Sequence, residues 1–485
     1  MEERYIATVD LGTSKIALSV AKIAGGSMEI LYYKERPSDG VRRGCIFNPA
    51  RASVPLRKAI DEAEEELGIR ITQVVIGLPR YGVSQELSSA RIDRGDAESC
   101  ISQEEIDAIK NMALDSYPLD DPAKQEIYGA SAQSFSTDDS INCTEEDVVG
   151  MPSGVLEGNF KVFVGLKAAS RNIDIMLNKA DVACARKFFL PPITAEAVLS
   201  SEEKENGVAL IEMGAGVSSV TIYQGGILRY YYAIPFGGRS ITTDIKLECG
   251  FTERLAENIK LGFGSCMPDK LQNMGDKILQ IKDEENGTDQ QLPVKYLSEI
   301  ITFRVREIVE AILFKIQESG YADRLRNGVV LTGGCADLAG CGNLIKEMSG
   351  YNVRTGYPRT KALTTAGCPG INEAGAVSLT GMLLLAREDK HLNCIEEVPI
   401  ASQRKEEVET ETPAEPEIQE ESVNLGGTVF EPVQEPRQKP EKTRKTKVAK
   451  EPKEHGQSLL VKWTKKAFKP VEDFVGGLYD QVQDN

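Results

Sequence analysis

Apolar residues near the start of the chain come in short blocks parted by a polar turn. Tyr5-Ile6-Ala7-Thr8-Val9 is followed by Asp10-Leu11-Gly12-Thr13-Ser14-Lys15, and then by the alternating run from Ile16 to Ile23. This pattern predicts strand, turn, strand. The same grammar returns much later. Val208-Ala209-Leu210-Ile211 leads into Glu212-Met213-Gly214-Ala215-Gly216-Val217, then Val220-Thr221-Ile222-Tyr223, and closes in Gln224-Gly225-Gly226. Two copies of one supersecondary unit predict an internal duplication at domain scale. After the first copy, residues 50–67 have helical apolar spacing and Gln73-Val74-Val75-Ile76-Gly77 is strand-like, so the elements alternate as in an α/β fold. Residues 81–163 interrupt that alternation with a more polar, irregular sequence and predict an inserted subdomain, after which residues 161–165 resume as strand. A second, largely helical insertion spans residues 241–324, with a long amphipathic pattern over 298–316.

The chain ends differently. Residues 399–456 are rich in Glu, Pro, Lys and Thr, with Phe430 the sole aromatic, and cannot bury enough apolar surface to offset the entropy of ordering. A disordered linker is predicted there. Beyond it, Leu460, Trp463, Ala467, Val471, Phe474, Leu478 and Val482 recur at steps of three and four and form one helical stripe. Lys462, Lys465, Lys466 and Lys469 flank its first half, and Phe468 adds apolar bulk. The only Trp, the lysines and the preceding linker predict a helix over 457–485 lying in the plane of a membrane; a helix docked back on the body is the plainer alternative. Pro470 and Gly476-Gly477 loosen or divide it.

With 485 residues the chain exceeds what one hydrophobic core supports, which makes several domains the expectation. The formal net charge of −17 argues against a general nucleic-acid binder, because phosphate neutralisation needs a basic surface. That charge is uneven: residues 437–469 hold twelve Lys or Arg against Glu441, Glu451 and Glu454, which points to an anionic partner for the tail. The ten cysteines include no C-x-x-C and no zinc-ligand spacing, and the N-terminus, opening on Glu2, Glu3 and Arg4, has no secretory pattern. A reduced, cytoplasmic protein is expected. The uncharged run 374–386 is too short for a bilayer that needs about 20 residues. His391 and His455, the only histidines, are too few and too peripheral for a Ser-His-Asp, Cys-His or His-metal site.

Three glycine turns carry the candidate chemistry. Asp10-Leu11-Gly12-Thr13-Ser14-Lys15 sets a carboxylate at a strand end and a glycine, hydroxyls and an ammonium beside it, a turn whose N–H groups suit phosphate oxygens. Taken alone, it is also ordinary hairpin chemistry. Gly214-Ala215-Gly216-Val217-Ser218 supplies a second small-residue loop, and Gly328 to Thr332 is an apolar strand running into Gly333-Gly334-Cys335 and then a helix. Their order and spacing resemble the ATPase superfamily of actin, Hsp70 and the sugar kinases. The chain more closely resembles the FtsA family of bacterial cell-division proteins, over nearly its whole length to about residue 392. That resemblance rests on Thr8-Val9-Asp10-Leu11-Gly12-Thr13-Ser14-Lys15-Ile16, on Gly225-Gly226-Ile227-Leu228-Arg229 with Ile234-Pro235-Phe236-Gly237-Gly238-Arg239-Ser240, on Ala256-Glu257-Asn258-Ile259-Lys260-Leu261-Gly262, and on Leu331-Thr332-Gly333-Gly334-Cys335-Ala336-Asp337.

The resemblance implies an actin-like two-lobed fold of duplicated ribonuclease H-like domains around an ATP cleft. Lobe 1 would comprise residues 1–80, 167–200 and 371–395, with 81–166 inserted as the FtsA-type subdomain. Lobe 2 would comprise 201–240 and 325–370, with 241–324 as its own insertion. It implies phosphate contacts from Gly12, Thr13, Ser14 and Lys15, faced by Gly214, Ala215, Gly216 and Val217, and Mg²⁺ held through water by Asp10 and Glu212. Glu257 and Lys260, one turn apart on a helix, would hold the ribose or base, and Gly333, Gly334 and Cys335 would pack on the adenosine. Glu196 falls where actin carries the glutamine that orients the attacking water, and reads as readily as a solvated helix-end glutamate. The second loop departs from the superfamily's Asp-x-Gly-Gly-Gly-Thr-x-Asp at Glu212, Ala215 and Ser219, so the resemblance implies ATP binding with slow or no hydrolysis. The implied partners are FtsZ through its C-terminal peptide, further copies of the chain, anionic inner-membrane lipids on the cytoplasmic side of the septum, and later division proteins. A PilM-like pilus-assembly protein, which should lack the linker and terminal helix, and a sugar or acetate kinase are the alternatives. For the kinase, the sequence offers no positioned general base.

Overall fold

In the computed structural model, residues 3–271, 274–282, 289–359, 363–365 and 367–396 are described. The linker at 399–456 and the terminal helix at 457–485, with Leu460, Trp463, Lys465, Lys466, Phe468, Phe474 and Leu478, lie outside them.

Two sheets of the same design form the frame. In the first, Arg4–Leu11, Lys15–Ala24 and Ser27–Pro37 make an antiparallel meander; Gln73–Leu78 adds parallel to the meander's first strand, and Ala183–Phe189 parallel to that. Leu363–Thr364 closes the far edge, giving six strands. In the second, Val208–Met213, Ser218–Gln224 and Ile227–Ile234 repeat the meander, and Val329–Thr332 and Val353–Thr355 repeat the parallel additions. The repeat expected from the two Gly turns is thus a repeat of whole sheets, and the fold is the two-lobed, actin-like α/β architecture. Both meanders begin with strands buried on both faces, such as Ile6 to Val9 and Val208 to Ile211, because helices cover each sheet.

Local chemistry sets the covering helices. Helix Pro49–Leu67 starts at Asn48, whose side chain accepts from the Arg51 N–H at 3.1 Å, has Pro49 in its first turn, and stops at Gly68 in the left-handed region. Its stripe of Ala52, Leu56, Ala59, Ile60 and Ala63 is buried against the first sheet. Helix Val377–Ala386 is buried nearly all round. No helix of the described residues is long and apolar enough to cross a membrane.

Residues 81–166 are more regular than their polar sequence suggests. Ser84–Asp93, Val155–Leu166 and Gln125–Ser136 form a three-stranded antiparallel sheet, with helix Gln103–Asp115 packed on it. Strand Ser84–Asp93 lies at the sheet edge with no residue fully buried, and its many Ser, Glu, Gln, Arg and Asp side chains mask the strand period. Its separate small core contains Ile106, Ile109, Phe135, Leu156 and Phe160. The second insertion holds helices Gly238–Cys249, Glu253–Phe263 and Val294–Glu318 and the hairpin Ile278–Lys282 with Asp289–Pro293. The largest apolar cluster runs from the first sheet through Phe163 and Phe189 to Tyr223, Leu228 and Tyr231 of the second, so the lobes share packed core as well as a cleft.

Candidate functional site

The strand ends of both sheets face one cavity of about 590 Å³, lined by Asp10 to Lys15, Arg80, Glu212, Gly214 to Val217, Gly238, Glu257, Lys260, Gly333 to Cys335 and Gly375. Three loops that the sequence singles out therefore converge.

The Thr13 side chain brings the two phosphate-type loops together against Gly216. The first closes on the Gly12 N–H to Lys15 carbonyl bond at 2.9 Å, and the second repeats it from Gly214 to Val217 at 2.9 Å. The Thr13 hydroxyl accepts from the Gly44 N–H at 2.9 Å. A Cβ on Gly216 would stand 2.5 Å from Thr13 Oγ1, so only glycine lets the loops approach this closely. The second loop is pinned from behind by helix Gly238–Cys249: the Gly238 and Arg239 N–H groups donate to the Gly214 and Ala215 carbonyls at 3.0 and 2.7 Å. Ala215 is accommodated without displacing that register.

The adenosine-type side is made by Gly333, which has φ +87 and passes close to the Met213 backbone, and by Gly334, whose missing side chain leaves open space. A short turn at Gly334–Asp337 separates this loop from helix Cys341–Ser349, where the sequence pattern suggested direct entry into the helix. Cys335 lies against Gly214, its Sγ 3.5 Å from that carbonyl, and burial pushes its thiol up to about 11. It behaves as an apolar wall. Glu257 and Lys260 stand together on helix Glu253–Phe263, paired at 2.7 Å, and the Lys260 ammonium also donates to the Gly238 carbonyl and Thr242 hydroxyl. Lys15 pairs with Glu35 at 2.5 Å, and its Nζ would lie 3.1 Å from a Cβ on Gly375, across the cleft beside Gly334.

Glu196 is elsewhere. Strand Ala183–Phe189 ends at the cleft, and the following helix begins at once with Leu190, so Leu190 lines the cavity. Six residues on, Glu196 is exposed and pairs with Lys204. The solvated reading fits this placement, and no water-orienting role follows for Glu196 from this geometry.

The carboxylates meet a cation that no motif announced. Arg80, just past strand Gln73–Leu78, pairs with Glu212 across the lobes at 2.8 Å, and both side chains are largely buried. Burial raises the pKa of Asp10 and of Glu212, and Arg80 is the strongest charge opposing that rise at each. The Asp10 side chain has no hydrogen-bond or ion-pair partner among the described residues, whereas Glu212 is engaged by Arg80. Arg43, Gly238 and Gly375 also line the cavity without having been expected. Only Gly238 had a sequence signal, the Phe236-Gly237-Gly238 run before a helix.

The family model described as cell division protein FtsA matches residues 209–370. The chain is 28% identical over 362 residues to "Cell division protein FtsA" of Neisseria meningitidis, covering 74% of this chain and 85% of that one. It is 28% identical over 410 residues to the protein of the same name from Borreliella burgdorferi, covering 84% and 97%. Among solved structures, it is similar to one titled "PilM-PilN type IV pilus biogenesis complex", with TM-score 0.55, 14% identity, and coverage of 78% of this chain and 98% of that one. At that identity the likeness concerns fold alone.

Proposed function

From its similarity to the FtsA cell-division proteins along most of its length, we propose that the chain is an actin-like, ATP-binding division protein whose nucleotide bridges the two lobes. Nucleotide held by both lobes fixes their angle, and that angle governs whether copies of the chain stack into filaments. The supporting observation is the touching pair of glycine loops, Gly216 against Thr13, with the open Gly333–Gly334 loop beside them. In this reading Gly12 to Lys15 and Gly214 to Val217 take the phosphates, Gly333, Gly334 and Cys335 the adenosine, and Glu257 with Lys260 the ribose or base. Asp10 and Glu212 would hold Mg²⁺ through water, and the ion would supply neutralisation of phosphate charge.

The wider role follows the family: the filament tethers FtsZ, through its C-terminal peptide, to the cytoplasmic face of the inner membrane at the septum and recruits later division proteins. The terminal segment 457–485 is the proposed contact with anionic lipid. A pull-down with the FtsZ C-terminal peptide tests the partner.

The nucleotide reading is tested by thermal melting. ATP with Mg²⁺ should raise the melting temperature, since a ligand present at 100 times its Kd stabilises the folded state by about 2.7 kcal/mol. Gly334→Asp is the informative variant because a Cβ there meets nothing within 4 Å, so the fold survives while a carboxylate faces the nucleotide. Gly12→Asp is less clean, since its Cβ would lie 2.6 Å from the Lys15 carbonyl and deform the loop itself. A full ATP shift in Gly334→Asp would remove the proposed cleft.

A further inference from the structure

We propose that Arg43 is a phosphate-binding residue of the cleft, its guanidinium taking the terminal phosphate and so setting a preference for ATP over ADP. The inference rests on the nucleotide reading above and adds to it a residue and a selectivity that the glycine loops do not supply.

The backbone singles Arg43 out first. Val41–Arg42 and Cys45–Ile46 pair antiparallel, Val41 with Ile46 and Arg42 with Cys45, so Arg43 and Gly44 are the two residues of a tight hairpin turn. Both have positive φ, 52° and 70°, as a type I′ turn requires. Gly44 adopts that conformation freely, but the first position usually holds Asn, Asp or Gly, and an arginine there is strained. The turn is fastened to the first phosphate-type loop. The Gly44 N–H donates to Thr13 Oγ1 at 2.9 Å, the Ser38 N–H donates to the Ser14 carbonyl at 3.0 Å, and Val41 and Ile46 are buried. An arginine is therefore held at the cleft against its own backbone preference.

Charge singles out the same residue. Lys15, Arg43, Arg80 and Lys260 are the cations lining the cavity. Lys15 pairs with Glu35, Arg80 with Glu212 and Lys260 with Glu257. The Arg43 side chain has no hydrogen-bond or ion-pair partner among the described residues, and it is only half-buried, so a ligand in the cavity can reach it. Its neighbour Arg42 is engaged elsewhere, 4.4 Å from the centre of the Phe47 ring. An unmatched guanidinium beside glycine loops suits phosphate, whose oxygens accept its N–H groups in pairs.

The order of contacts along the cleft selects which phosphate. On the adenosine side, Gly333 and Cys335 lie against Met213 and Gly214; two residues further on, Gly216 lies against Thr13, and Thr13 in turn holds Gly44. A nucleotide with its adenosine at Gly333 and Gly334 runs its phosphates along the second loop towards Thr13. The last phosphate is then the one nearest the hairpin tip, and ADP lacks it.

The experiment is titration calorimetry of the full chain with ATP and, separately, with ADP, both in excess MgCl₂. The quantity read is the ADP Kd divided by the ATP Kd. Arg43→Asn, which suits the turn better than arginine does, should lower that ratio by about tenfold through weaker ATP binding. Its melting temperature without nucleotide should equal or exceed the parent's, a combination that a merely structural part in the turn would not give. Arg43→Lys, which keeps the charge and loses the fork, should fall between. If Arg43→Asn melts below the parent, Arg43→Gly, which also accepts positive φ, takes its place in the same comparison. Gly334→Asp, on the adenosine side, should weaken both nucleotides alike. A ratio lowered by less than about threefold on replacing Arg43 overturns the proposal and leaves the nucleotide reading standing. No binding of either nucleotide to the unaltered chain overturns both.

Discussion

Arg94 is the most completely bonded side chain of the inserted subdomain. Only 5% exposed, it holds Glu105 through Nε at 2.7 Å and Nη2 at 3.2 Å, and donates to the backbone carbonyls of Ser99, Cys100 and Ser153. It ties the start of helix Gln103–Asp115 to the loop before strand Val155–Leu166, so its loss strands several acceptors at once. Arg94→Met should cost about 3 kcal/mol, measured by urea unfolding with limited proteolysis reporting on residues 81–166. The same bond gives a pH signature. The Arg94 guanidinium, followed by the Ser102 N–H, lowers the Glu105 pKa in the folded state. A depressed carboxyl pKa contributes stability that is complete above the ordinary glutamate range and is lost as pH falls through the folded value. Acid should loosen this subdomain, and Arg94→Met should flatten that acid limb.

Among elements, strand Ala183–Phe189 does the most joining. Its last residue, Phe189, stands 4.7 Å from the Phe163 ring of the insertion, 5.6 Å from Tyr231 of the second lobe and 6.5 Å from Tyr128. Phe189→Ala should destabilise the chain by about 3–5 kcal/mol, while Phe189→Leu, which keeps most of the volume, should cost about 1.5 kcal/mol or less. Equal small losses in chemical denaturation would mean the three parts do not share this core. The strand's immediate turn into helix Leu190–Val198 carries Glu196, near that helix's end, out to solvent, where it pairs with Lys204.

For the whole molecule, the expected chemistry is assembly with slow turnover. Ser219 stands in place of an acid and Glu196 is paired outside the cleft, so two groups that could organise the attacking water are missing from it. Phosphate release should be well below the roughly 10 per second typical of enzymes; turnover at that pace would contradict the scaffold reading. Membrane attachment is tested at residues beyond the described body. Trp463→Glu should release the chain from liposomes at any salt, because apolar insertion of up to about 3 kcal/mol per large side chain dominates. Lys465→Ala with Lys466→Ala should weaken binding only to anionic lipid at low salt, as each lysine adds about 1 kcal/mol and is screened. Both variants should keep the ATP melting shift. Retention of Trp463→Glu on liposomes would end the tether model.

The amino-acid sequence determined by itself whatever depends on neighbours along the chain. Paired apolar runs around Gly turns at Asp10 to Lys15 and Glu212 to Val217 dictated two meanders, and the Glu257 to Lys260 spacing set both groups on one helical turn, because backbone period and turn chemistry are local. Tertiary structure alone decided what depends on distant groups. The opposition of Thr13 and Gly216, the pairing of Arg80 with Glu212 and the convergence of Phe163, Phe189 and Tyr231 arise where strands far apart in sequence come together. An arginine after Leu78-Pro79 has no local signature of function. Its role appears only when burial makes a charge expensive and the fold supplies a carboxylate 132 positions later to answer it.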